Sequence, residues 1–157
     1  MKIDDLKNMI EENLRGIDVE ITAREPNVID VKVSRDKIIE VAERLKRKGF
    51  DHVKSVTAVD YPGERFEVIY IVSSYESPLS YFLVSLRTSL PYDDPRMSSL
   101  LSVWPSVLYQ EHEEHDLMGI EFEGNPRMGE RLLLPESYEG IPPLRKEFKV
   151  KVEGIDA

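Results

Sequence analysis

The stretch from Glu111 to Glu123 holds six carboxylates (Glu111, Glu113, Glu114, Asp116, Glu121, Glu123) and no lysine or arginine. Its flanks favour a helix, because Pro105 is tolerated in a first turn and Gly119 suits a left-handed C-terminal cap. In such a helix Glu111 and Glu114 are like charges three apart, as are Glu113 and Asp116. All four lie in its C-terminal half, where the macrodipole prefers cations and each misplaced charge costs roughly 0.3–1 kcal/mol. Something outside the helix must compensate. The following segment, Arg127 to Lys151, carries six basic and four acidic residues, enough for part of that compensation. Gly124, Pro126, Gly129, Pro135, Gly140, Pro142 and Pro143 break any regular element beyond the helix. A long irregular tail of this kind needs a surface to lie against.

The 157 residues suit one structural unit with a real core. Residues 1–104 are expected to form an α+β core, and residues 105–157 the acidic helix and an extended partner-binding segment of the same unit. Hydrophobic content of 41% and charged content of 32% place the chain among soluble globular proteins. A net charge of −9 disfavours binding to a nucleic-acid backbone or an anionic membrane surface. With no cysteine, the chain has no disulfide, no thiolate nucleophile and no ordinary iron–sulfur ligand of its own. Acidic residues in MKIDDLKNMIEEN argue against an export signal, and no apolar run approaches the ~20 residues of a spanning helix. The expected location is cytoplasmic, or on the cytoplasmic side of a membrane by way of partners.

Ile3, Leu6, Ile10 and Leu14 recur at helical spacing and stop near Gly16. Val19 to Thr22 and Ile29 to Val33 alternate with period two around Pro26-Asn27, the pattern of a hairpin. Ser34 offers an N-cap to a second helix with Ile38, Val41, Ala42 and Leu45 on one face, ended by Gly49. Lys37, Arg44, Lys46, Arg47 and Lys48 read as its solvated face. Val53–Tyr61 and Arg65–Ser73 flank Pro62-Gly63-Glu64 as a second hairpin, and Ser80–Thr88 supplies a further strand. Ile69 and Ile71 on the second face of the 65–73 strand suggest a central strand covered on both sides. The stretch from Tyr92 to Pro105 reads as a loop with at most one helical turn. The class is α+β, with a mainly antiparallel sheet, helices on one face and a long irregular C-terminal segment.

His112-Glu113-Glu114-His115-Asp116 invites a metal reading, with His112, His115 and Asp116 as ligands of a hydrolase. The histidines are three apart rather than the four of HExxH, and the only other histidine is His52. No serine sits in a GxSxG elbow, and no Gly-Lys-Ser/Thr loop occurs. The residues themselves describe an interaction subunit rather than an enzyme.

Trp104-Pro105 is followed by Glu111, Glu113, Asp116, Gly119-Ile120, Phe122, Gly124 and Pro126. Arg131, Leu133-Leu134-Pro135-Glu136, Tyr138 and Gly140 come next, then Pro143-Leu144-Arg145-Lys146-Glu147-Phe148. At these spacings the segment resembles the signature of the 30 kDa subunit family of respiratory NADH dehydrogenase (complex I). That family includes the equivalent small subunit of membrane-bound nickel–iron hydrogenases. Val59-Asp60-Tyr61-Pro62 and the strand from Phe66 are similar to the family's central hairpin, so the resemblance covers roughly residues 30 to 150. His112 stands where the family usually has Arg, Tyr109 where it often has Trp, and Asn125 where it often has His. Gly140-Ile-Pro-Pro carries one residue more than the commonest spacing. These departures favour a divergent branch, such as the membrane hydrogenases or sulfur-metabolising complexes of archaea, over a quinone-linked complex I.

The resemblance implies a non-catalytic, cofactor-free subunit in the peripheral arm of an ion-translocating oxidoreductase. It would dock on the homologue of the hydrogenase large subunit, near iron–sulfur subunits, touching the membrane arm only indirectly. Nickel–iron and iron–sulfur centres would belong to those partners. The residues it marks for partner binding are Trp104, Glu111, Glu113, Asp116, Gly119, Phe122, Gly124, Pro126, Arg131, Leu134, Pro135, Pro143, Leu144, Arg145 and Lys146. Glu111, Glu113 and Asp116 are expected to draw cations from a partner or from Arg131 and Arg145.

Overall fold

A computed structural model describes residues 1–138 and 140–150, so the end of the expected C-terminal segment, residues 151–157, lies outside the described residues. Helix α1 (Ile3–Asn13) buries Ile3, Leu6 and Ile10, and Gly16, at φ +90°, turns the chain into the first hairpin. That hairpin is β1 (Val19–Arg24) and β2 (Val28–Val33), antiparallel from Val19 opposite Val33 to Arg24 opposite Val28. Helix α2 (Ile38–Arg47) buries Ile38, Val41, Ala42 and Leu45. Its N-cap is Lys37, with no side-chain bond, so Ser34 does not cap it. The Ser34 carbonyl instead accepts the Lys37 N–H in a preceding turn, at 3.1 Å.

The second hairpin follows as β3 (His52–Tyr61) and β4 (Arg65–Ser73). Strand β5 (Leu83–Pro91) begins three residues later than its hydrophobic alternation suggested, because Leu79–Tyr81 form a short 3-10 turn first. The five strands run β1-β2-β5-β4-β3. All neighbours are antiparallel except β2 and β5, which run parallel with Val28 opposite Leu83. That pairing inserts β5 between the two hairpins and makes one sheet of them.

One face of the sheet is the core: Ile29 and Val31, Val84 and Leu86, Phe66, Val68, Tyr70 and Val72 are all buried. The register puts Tyr70 opposite Leu86 and Val72 opposite Val84. Each such aliphatic or aromatic side chain contributes roughly 1.5–3 kcal/mol when removed from water. On the opposite face Arg87 bridges strands, its Nε 3.0 Å from Asp30 Oδ1 and its Nη1 2.8 Å from Glu67 Oε1. Strand β4 is central, as its composition suggested, but Ile69 and Ile71 on that second face are only half-buried. The face is held by cross-strand charge pairs rather than by a second layer.

Residues 92–104 hold more structure than their polar, proline-flanked sequence suggests. Strand β6 (Arg96–Ser98) pairs in parallel with β7 (Glu121–Glu123), Met97 opposite Phe122, as a small second sheet. Both side chains are buried. A three-residue strand carries too little alternation to be visible in sequence. The Trp104 indole closes the same region by donating from Nε1 to the Phe50 carbonyl, 3.0 Å away.

Candidate functional site

Pro105–Val107 form a 3-10 turn that leads into α3 (Leu108–Met118). Gly119 ends the helix at φ +72° and donates its N–H to the His115 carbonyl at 2.9 Å, the left-handed cap that its sequence position called for. The helix is unusual in what it buries: Glu111, His112, Asp116 and Met118 rather than an apolar stripe.

Glu111 is wholly enclosed. Its Oε1 accepts from Tyr70 Oη at 2.8 Å and Leu100 N at 2.9 Å, and its Oε2 from Ser99 Oγ at 2.5 Å and Asn125 Nδ2 at 3.0 Å. Four neutral donors take the place of the cation that the sequence led us to expect. Burial raises the Tyr70 hydroxyl well above its ordinary pKa, and the adjacent Glu111 charge and its hydrogen bond add to the shift. One carboxylate thus ties α3 to β4, to the loop after β6 and to the loop after β7.

Two more α3 side chains seal the outer edge of β3. Gln110 Nε2 donates to the Lys54 carbonyl at 3.3 Å, and Glu114 Oε2 accepts from Ala58 N at 3.1 Å. An uncovered edge strand invites unwanted pairing, and these contacts blunt it. Burial is the main cause that raises the Glu114 carboxyl to about 7, against the lowering effect of the Ala58 N–H. Glu113 points to solvent.

Among the described residues beyond Glu130, the C-terminal segment is fastened at two places. At the first, Asp116 Oδ2 accepts from Leu133 N and Leu134 N, both at 2.9 Å, and Arg131 Nη1 reaches Asp116 Oδ1 at 3.2 Å. These donors outweigh burial and hold the Asp116 carboxyl below its usual range, although burial is the largest single influence. At the second, Leu144 N donates to the Leu117 carbonyl at 3.0 Å, Arg145 Nε to the Met118 carbonyl at 2.8 Å, and Lys146 N to Asp60 Oδ2 at 2.7 Å. The Arg145 guanidinium also lies over the Phe66 ring, 4.8 Å from its centroid. Glycine suits the left-handed backbone there, and a Cβ at Gly119 would meet Arg145 Nη2 at 2.9 Å and displace the end of that side chain. The fastened segment presents Leu133 (61% exposed), Ile141 (46%) and Leu144 (57%) to solvent.

Of the residues marked for partner binding, Trp104, Glu111, Asp116 and Phe122 are buried inside this chain and act on its own fold. Glu113, Gly124, Pro126, Pro135, Leu144 and Lys146 are exposed, while Gly119, Arg131, Leu134, Pro143 and Arg145 are half-buried. Arg131 does neutralise an acid of α3, whereas Arg145 caps the helix carbonyls instead. Tyr70, Ser99, Asn125, Asp60 and Gln110 complete the arrangement, and sequence reasoning assigned none of them. Asp60 stood within the quoted Val59-Asp60-Tyr61-Pro62, the only signal that could have singled it out.

The three groups of the metal reading, His112, His115 and Asp116, are each engaged by backbone partners. His112 Nε2 bonds the Glu130 carbonyl at 2.7 Å, His115 Nδ1 bonds the Ile120 carbonyl at 2.8 Å, and Asp116 is filled as above. Among the described residues no three His, Cys, Asp or Glu side chains are placed to hold a metal ion. No described helix is long and apolar enough to cross a membrane.

Comparison with known proteins agrees with this geometry. The family described as respiratory-chain NADH dehydrogenase, 30 Kd subunit, matches residues 31–153. The corresponding subunit of the NADH-quinone oxidoreductase of Moorella thermoacetica is 34% identical over 152 residues, covering 95% of this chain and 99% of that protein. That of the F(420)H(2) dehydrogenase of Methanosarcina mazei is 37% identical over 126 residues, 79% of this chain and 77% of its own. A chain of the membrane-bound sulfane sulfur reductase, an archaeal respiratory membrane complex, superposes with a TM-score of 0.83. It is 27% identical, and the match covers 93% of this chain and 85% of that one. The trypsin-resistant fragment (1–134) of Nqo5 matches with a TM-score of 0.66 at 28% identity, over 77% of this chain and 97% of the fragment. By sequence and by fold, this chain belongs to the family of the 30 kDa subunit of respiratory-chain NADH dehydrogenase.

Proposed function

We propose that the chain is a non-catalytic subunit in the peripheral arm of a membrane-bound, ion-translocating oxidoreductase of the complex I type. Its C-terminal segment docks on the homologue of the hydrogenase large subunit, close to iron–sulfur subunits, on the cytoplasmic side of the membrane. Nickel–iron or iron–sulfur chemistry resides in those partners, and this chain supplies shape. The observation that carries the reading is the fastened tail. Hydrogen bonds to Asp116, Leu117 and Asp60 fix its backbone, while Leu133, Ile141 and Leu144 stay in water. An irregular segment held in place with its large apolar side chains outward is a prepared interface. Likeness to subunits of an NADH-quinone oxidoreductase, of an F(420)H(2) dehydrogenase and of the archaeal sulfane sulfur reductase supports a place in a membrane-bound respiratory complex.

Mild detergent extraction followed by capture through this chain tests the reading. Recovery of a large-subunit homologue supports it, and four nickel-ligating cysteines in that partner would identify a hydrogenase. Recovery of the chain by itself, under conditions that keep the membrane complex whole, would refute it.

A further inference from the structure

The tail arches over a small cavity between its two fastenings. His115, Asp116 and Gly119 of α3 form one wall, and Arg131, Gly140, Ile141, Pro142 and Arg145 form the other. At about 270 Å³ it lies just below the range of small-molecule and cofactor sites. We propose that this cavity receives a carboxylate, the Asp or Glu side chain of the subunit that covers the tail. The proposal rests on the docking reading above and names the chemistry of the group that docks.

The charges point this way. Asp116, the only acid among the described residues of the lining, has no exposed side-chain surface and is already occupied by two backbone N–H groups and Arg131. Arg131 commits one nitrogen to it and keeps 27% of its side chain in solvent. Arg145 commits Nε to the Met118 carbonyl, and its nearest carboxylate among the described residues, the mostly exposed Glu147, stands 3.5 Å from Nη1. Among the described residues, two guanidiniums with unused donors therefore line one cavity in a chain of net charge −9. Planar guanidinium forks match carboxylate geometry, and pairing there is charge-assisted. The sequence suggested that α3 would draw cations from a partner. The structure reverses the sign for the buried acids: Glu111 and Asp116 are satisfied within the chain, and among the described residues Arg131 and Arg145 keep donors that no protein group fills.

A protein carboxylate fits better than a free anion because of what surrounds the cavity. Ile141 and Pro142 line it beside the two arginines, and Ile141 is exposed. A charged group next to apolar side chains that a partner can cover and dry is the anatomy of a binding hot spot. Free anions gain nothing from those apolar contacts.

The test has two arms, both on the full chain. In the first, acetate is titrated at constant ionic strength while the Nε–Hε signals of Arg131 and Arg145 are followed by NMR. Saturable shifts at these two signals, absent at Arg24 and Arg44, are expected. Equal shifts at all four, or tighter binding of phosphate than acetate, would overturn the carboxylate assignment. In the second arm, Arg131→Gln and Arg145→Gln are assembled with the large-subunit homologue. Each is expected to weaken assembly at least about tenfold and to reduce its salt dependence. Gly119→Ala, which displaces Arg145 Nη2 without altering any charge, is expected to weaken assembly too. Undiminished assembly by all three variants overturns the carboxylate site and leaves the docking reading intact. Failure of the unaltered chain to assemble overturns the docking reading and, with it, the partner carboxylate.

Discussion

Replacing Glu111 by Gln keeps the shape of the buried side chain and changes only its hydrogen-bonding capacity. Its two oxygens each face one hydroxyl and one N–H donor: Tyr70 and Leu100 at Oε1, Ser99 and Asn125 at Oε2. The amide must put its NH2 where one of those oxygens stands. The hydroxyl on that side can rotate to accept, but the N–H cannot. Leu100 N is backbone, and the Asn125 amide is pinned by donating to the Leu108 carbonyl and accepting from Arg127 N. One buried donor is orphaned at about 1–3 kcal/mol, and the surviving bonds lose their charge assistance. The expected loss is about 2–4 kcal/mol, which for a chain of this size lowers Tm by roughly 4–16 °C. Urea unfolding followed by the fluorescence of Trp104, the single tryptophan, measures it directly. Glu113→Gln, two residues away but exposed, is the control and should stay within about 0.5 kcal/mol of the parent. A Glu111→Gln loss below about 1 kcal/mol, with an unchanged m-value, would refute the four-donor account.

Three further outcomes follow from the same geometry. The Glu114 carboxyl, raised to about 7 from its ordinary 4.5, keeps a proton in the folded chain where the unfolded chain has released it. Stability from this group is therefore full below about pH 4.5 and is lost as pH rises towards about 7. Denaturation midpoints across that window should fall in the parent and flatten in Glu114→Gln. Asp116→Ala removes the acceptor of Leu133 N and Leu134 N, so their amides should exchange about 10–100 times faster while β4 and β5 are unaffected. Unchanged protection at these amides would mean that the first fastening is held by something else. Leu144→Asp alters a side chain that is 57% exposed, so Tm should move by less than about 2 °C while recovery of the large-subunit homologue drops severalfold. Full recovery would remove Leu144 from the interface.

Periodicity made α1, α2 and both hairpins legible, because their apolar residues recur at 3.6 or 2 and glycine or proline bounds them. Strand β5 slipped by three residues, since Ser80–Phe82 share its composition and only pairing with β4 and β2 decides where it begins. The parallel β6–β7 pair was invisible for a related reason. Six residues, separated by α3, become a sheet only after the helix has folded back. In the candidate site, the sequence marked α3 as electrostatically unsatisfied but not how it is satisfied. Glu111 and Glu113 look alike in a string of letters. One meets four donors drawn from β4, the loop after β6 and the loop after β7, and the other meets water. Polar rescue by neutral groups leaves no charge pattern to read, so Tyr70 and Ser99 passed unnoticed and Asn125 stood out only as a departure from the family pattern. Arg131 was legible because charge seeks charge within the same segment. Arg145 was legible only as a cation, because its role depends on the space that Gly119 leaves.

The central claim is that residues fastened to α3 present an interface to a larger subunit. Hydrogen exchange of the full chain, free and inside the detergent-extracted complex, tests it most directly. The account predicts slowed exchange confined to the tail around Leu133, Ile141 and Leu144, with the core strands unchanged. Equal exchange of that segment in both states, or new protection only on the open sheet face around Ile69 and Ile71, would contradict it.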